Sequence, residues 1–113
     1  MELVEEIQSL TKQLEISIKA LRKNGTAYAQ AEKDYKMLLR VEVLKLRDEG
    51  VAVGVIEKIC YGIPAVADLR FKRDIAKTVY EANLEAINAL KLRLRLTENQ
   101  LAREWSASGE GDL

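Results

Sequence analysis

From Ala65 to Ser106 the chain contains neither glycine nor proline, and no other feature constrains its fold as strongly. Along that run Val66, Leu69, Ala76, Val79, Tyr80, Ile87, Leu90, Leu94, Leu101 and Trp105 form an apolar series at helical spacing. Pro64 suits the first position of a helix, and Asp68 places a carboxylate near its positive end. The spacing predicts one helix over 64–106. At ~1.5 Å per residue it makes a rod on the order of 60 Å. A compact domain of 113 residues is about 27 Å across, so such a rod is expected to meet a second chain.

The remaining punctuation divides the chain into few pieces. Leu3, Ile7, Leu10, Leu14, Ile18 and Leu21 recur at steps of three and four, a narrow seam over 3–23. Glu2, Glu5 and Glu6 precede it and Lys19, Arg22 and Lys23 end it, matching the helix dipole. Asn24-Gly25 reads as a stop and Thr26 as the N-cap of a helix over 26–49, with Ala27, Ala31, Tyr35, Leu38, Leu39 and Leu46 on one face. Val53 to Tyr61 is apolar apart from Glu57 and Lys58. As a strand it has no partner, so a short helix over 53–61 is expected, with Gly62 as its left-handed terminator. The expectation is an all-α fold of three long helices and one short connecting helix, an elongated hairpin resembling a coiled coil. It forms a single domain over 1–107 with a disordered acidic tail over 108–113.

Composition narrows the chemistry. There are 18 lysines and arginines against 18 aspartates and glutamates, and no histidine. Net attraction to polyanions is therefore absent, and binding to nucleic acid must rest on a local patch. Without histidine, and with Cys60 alone, Ser-His-Asp and Cys-His machinery, imidazole-bound metals and thiolate zinc sites are unsupported, as is an internal disulfide. Cys60 in its apolar stretch reads as a core residue. Glycine-rich phosphate loops are missing. The reading is a non-enzymatic protein with no cofactor or metal. An acidic start and the lack of any long apolar run predict no secretion signal and no membrane span, hence a cytoplasmic protein.

Charge is unevenly placed. Residues 65–107 hold six acids and eight bases, and most of these bases form two knots: Arg70, Lys72, Arg73 and Lys77, then Lys91, Arg93 and Arg95. No acid lies between Glu85 and Glu98, so the second knot is the sharper candidate for a phosphate track. Tyr61, Phe71, Tyr80 and Trp105 are available to stack on bases, although Tyr80 and Trp105 also suit a core stripe. Val53–Lys77 has the outline of a helix-turn-helix, but its second helix runs far past the usual length.

Tyr28-x-x-Ala31-x-x-x-Tyr35, the charged ending Leu46-Arg47-Asp48-Glu49-Gly50, Tyr80-x-x-x-Leu84-x-x-Ile87-x-x-Leu90 and the late Trp105 give the stretch Thr26 to Ala107 a pattern that resembles the small helical recombination mediator proteins of bacteriophages. The resemblance implies a ring-forming helical oligomer in the host cytoplasm that binds single-stranded DNA through basic residues and loads a recombinase or another replication protein. The balanced charge and the N-terminal helix depart from that pattern. Two functions follow as expectations: an accessory of phage recombination or replication that binds single-stranded DNA, or a structural or adaptor protein that binds only protein. In either case Leu3, Ile7, Leu10, Leu14, Ile18, Leu21, Leu94, Leu101 and Trp105 are the expected oligomer interface, because the two ends of the sequence look too far apart to share a core.

Overall fold

The structure, a computed structural model, describes residues 2–111, with side chains described for residues 2–108. It is all-α: α1 spans Glu2–Asp48, α2 Val53–Tyr61 and α3 Pro64–Gly111, with no strand among the described residues. Along α1 the buried and half-buried positions run Leu3, Ile7, Leu10, Leu14, Ser17, Leu21 and onward through Tyr35 to Glu42. Along α3 they run Val66, Leu69, Arg73, Ala76, Tyr80, Asn83, Ile87 and onward to Leu101. Both series alternate steps of four and three, so each helix keeps a single seam facing its neighbour.

The chain divides into two compact units. The terminal unit joins Met1–Arg22 to Ala82–Leu113. Its core holds Leu10, Ile87 and Thr97, with the Thr97 hydroxyl satisfied by donating to the Arg93 carbonyl at 2.8 Å. Asn83 Nδ2 donates to the Ser17 carbonyl across the seam at 3.0 Å. The connector unit spans Lys23–Glu81. There Tyr28 meets Tyr80 with ring centroids 5.9 Å apart, and Glu32 meets Arg73, so α1 and α3 run antiparallel. Tyr35, Ile56, Cys60 and Val66 form its buried core, with α2 supplying the middle two.

The turns follow from local chemistry. At the end of α1 the Gly50 amide donates to the Arg47 carbonyl and the Val51 amide to the Leu46 carbonyl, both at 3.0 Å. This is a Schellman closure, and it demands the left-handed backbone that Gly50 adopts at φ 82°. After α2 the Gly62 amide reaches the Ile59 carbonyl and the Ile63 amide the Cys60 carbonyl. Pro64 then opens α3 at the position where a missing N–H costs nothing.

Four expectations change. The helices read over 3–23 and 26–49 are one helix, since Asn24-Gly25 does not interrupt α1. The glycine there sits inside the helix beside Tyr80, where an added Cβ would stand 3.4 Å from Tyr80 Cε2, an ordinary contact. Gly62 has φ −86° in the right-handed region, and the left-handed glycine is Gly50. The tail expected from residue 108 is helical as far as Gly111; Asp112 and Leu113 lie outside the described residues. Finally, the seam over 3–21 and the stretch 94–101, expected to lie too far apart to share a core, pack within one terminal unit.

Candidate nucleic-acid interface

The two basic knots of α3 have different fates, decided by where each residue falls relative to the seam. Arg73 occupies a seam position, and its side chain is only 21% exposed. Its guanidinium carbon lies 4.5 Å from the Tyr35 ring centroid. Nη2 and Nε donate to Asp74 Oδ1 at 2.8 and 3.0 Å, and Nε stands 3.7 Å from Glu32 Oε2. Burial works against the charge, but the hydrogen bond and charge of Asp74, followed by Glu32 and Tyr35, outweigh it and raise the Arg73 pKa. Arg70 places its guanidinium 4.8 Å over the Tyr61 ring, and Lys77 Nζ pairs with Glu81 at 3.9 Å. Of the first knot, Lys72 is exposed and in none of the ion pairs among the described residues. The four cations expected to line one phosphate track are mostly committed within the connector unit.

Lys91, Arg93 and Arg95 are all exposed, and none joins an ion pair among the described residues. Leu90 and Leu94 lie half-buried in the seam. Lys91 and Arg95 each follow a seam leucine by one residue and so flank the seam together, while Arg93 stands on its other flank. Three cations within one and a half turns, none of them ion-paired among the described residues, make a local positive strip of the kind that backbone phosphates attract.

The aromatics divide differently from expectation. Tyr80 is half-buried against Tyr28, as a core stripe requires. Trp105, read as core, is 66% exposed. Phe71 is exposed, and Tyr61, also exposed, lies under Arg70.

The residues read as an oligomer interface are largely spent inside the chain. Leu10 is 1% exposed, and Leu3, Ile7, Leu14, Leu21, Leu94 and Leu101 are half-buried within the terminal unit. Of the expected set, Ile18 and Trp105 remain exposed. A continuous α1 brings Leu3 opposite the Gln100–Glu104 stretch, where they line one shallow cleft, a pairing that two separate helices over 3–23 and 26–49 do not reveal.

Cys60 is fully buried. Burial pushes its thiol pKa up, and Glu42 and Glu57 push the same way, so at neutral pH it remains a packed thiol. The described residues contain no group of three His, Cys, Asp or Glu side chains able to hold a metal ion. No helix among them is long and apolar enough to cross a membrane. Sequence reasoning misses the cluster of Arg73, Tyr35 and Glu32. Its signal is a cation standing where the α3 seam calls for an apolar residue, facing a seam tyrosine with a carboxylate beside it. Comparison with protein-family models, with curated proteins and with solved structures finds no match to this chain.

Proposed function

We propose that this chain is a non-enzymatic, self-associating helical accessory of DNA recombination or replication that binds single-stranded DNA along α3. The observation that carries the reading is the contrast between the two basic knots: Arg70, Arg73 and Lys77 are engaged by neighbours, whereas Lys91, Arg93 and Arg95 are exposed and unpaired among the described residues. Unpaired cations keep their full attraction for phosphate, because no internal ion pair must be broken first. The likeness of Tyr28-x-x-Ala31-x-x-x-Tyr35 and Trp105 to the phage recombination mediators supports the same reading and suggests a recombinase or other replication protein as partner.

The test is an anisotropy titration of a labelled single-stranded oligonucleotide at three salt concentrations. Lys91→Ala with Arg95→Ala weakens binding for all sequences alike, and the salt slope falls by about 0.7 for each phosphate that the variant no longer neutralises. An unchanged affinity in the folded double variant removes this strip from the reading. A second reading, an antiparallel coiled-coil adaptor that binds protein alone, is favoured by the apolar side chains left exposed on all three helices. Absence of binding by the wild type at low salt decides for it.

A further inference from the structure

The last three turns of α1 are apolar on more sides than their seam explains. Leu39, Val43 and Leu46 stand on one flank and are half-buried, on the side where Val43 and Arg47 share a cleft with Val53, Gly54, Ile56 and Glu57 of α2. Met37, Val41 and Leu44 stand on the other flank and are exposed. On α3, Phe71, Ile75 and Val79 repeat at steps of four and line a shallow groove with Asp74 and Thr78. Val41, Ile75 and Val79 each precede a seam position by one residue. Because α1 and α3 are antiparallel in this unit, the flank that precedes the seam lies on the same side of both helices. The connector unit therefore has one flank covered by its own α2 and one apolar flank left open.

We infer that a second copy of this chain covers that open flank, and that Met37, Val41, Leu44, Phe71, Ile75 and Val79 form the core of a two-fold interface. This rests on the self-association proposed above and names its surface. The six side chains are each 46–66% exposed and present on the order of 600 Å² of apolar area, the upper end of what a soluble monomer leaves uncovered. Two such faces with their polar margins reach the roughly 1,200–2,000 Å² total of a specific pair. Two rows of large side chains at steps of three and four suit a layer of two further helices, giving four-helix packing. The charges at the margin are of both signs. Asp34 and Asp68 occupy the same flank as Lys72, which has no ion pair within its own chain among those described. A two-fold copy offers Lys72 a carboxylate, and the chain carries no net charge to oppose pairing.

The experiment is sedimentation equilibrium and light scattering of the full chain from about 1 to 200 μM, for wild type, Met37→Glu/Ile75→Glu and the control Ile16→Glu/Leu96→Glu, which adds the same charge at exposed apolar positions of the terminal unit. Circular dichroism establishes that each variant keeps its helix content. The expected result is a wild-type and control dimer, with the dissociation constant of Met37→Glu/Ile75→Glu raised on the order of a hundredfold. Equal association of all three proteins overturns this interface while leaving self-association standing. A wild type that stays monomeric across the range overturns both. Should the Met37→Glu/Ile75→Glu variant lose helix, a photo-crosslinking side chain placed at Met37 decides instead: adducts of twice the chain mass support the interface, and their absence overturns it.

Discussion

The two units use one pair of helices in two ways. In the connector unit the seam is mixed: three tyrosines, an arginine and two glutamates share it with leucines, and every ion pair and cation–π contact among the described residues falls within Lys23–Glu81. In the terminal unit the seam is mostly leucine and isoleucine, polar only at Ser17, Asn83 and Thr97, and its lysines and arginines face outward without acid partners. The difference teaches that counting charge along a helix says little about where charge is available. Arg73 and Arg93 both sit in basic knots of α3, but a seam position and a neighbouring Asp74 tie Arg73 into the fold, whereas Arg93 lies off the seam in an acid-free run and stays exposed.

The sharpest way to break this comparison is to remove a seam side chain. Leu10→Ala in the terminal unit deletes a fully buried leucine, and urea denaturation should show a loss of about 2–5 kcal/mol. Arg73→Ala should cost about 1–3 kcal/mol, because it removes charge-assisted hydrogen bonds to Asp74, an ion pair with Glu32 and a stacked contact on Tyr35. Arg93→Ala, the same substitution on an exposed cation, should stay within about 0.5 kcal/mol. Similar losses for the two arginines would dissolve the distinction between the units.

Glycine substitutions sharpen it further. Gly50→Ala should destabilise by about 1–2 kcal/mol, since alanine must adopt the left-handed backbone. Gly62→Ala, in right-handed backbone with its nearest neighbour atom 3.5 Å from the added Cβ, should change the melting temperature little. Gly25→Ala should raise it, gaining about 0.5–1 kcal/mol of helix propensity, because the methyl group meets Tyr80 at contact distance.

The smallest effect belongs to Cys60. A thiol ordinarily ionises near about 8.5, and burial with Glu42 and Glu57 raises it in the fold. The unfolded chain therefore loses this proton first as pH rises. The stabilising contribution is complete below the ordinary thiol range and fades above it. The stability difference between wild type and Cys60→Ala should shrink between pH 7.5 and 10 in urea melts, and a constant difference would contradict the burial of the thiol as an ionisable group.

Much of the fold is legible in the residues, for identifiable reasons. The limits of α2 and the start of α3 follow from Pro64 and a short apolar stretch, and structure and expectation agree there residue for residue. Asn24-Gly25 misleads because a glycine inside a helix costs only about 1 kcal/mol, and packing along a seam that continues through Asn24 and Tyr28 outweighs it. Gly62 misleads because the left-handed terminator belongs to the turn before it. The leucine seams are plain in the spacing, but the partner of the first is not, since pairing depends on the full length of α1. At the candidate site, the lack of ion pairs at Lys91, Arg93 and Arg95 among the described residues agrees with the acid-free run around them, and their exposure with the seam leucines beside them. The withdrawal of Arg73 is legible only in the register of α3, which sets a cation between Leu69 and Ala76 where the seam calls for an apolar residue.

The antiparallel course also sets an order in which the chain can close. Glu32 with Arg73, Tyr28 with Tyr80, and Ser17 with Asn83, 66 residues apart, are nested pairs, each enclosing the one before. Loop-closure entropy grows only logarithmically with the length enclosed, so once the innermost pair has met, each further closure costs tenths of a kcal/mol rather than a new search. Asn83 therefore finds the Ser17 carbonyl at small additional entropic expense despite the distance along the chain. Folding kinetics should resemble those of a chain with far more local contacts than this one has.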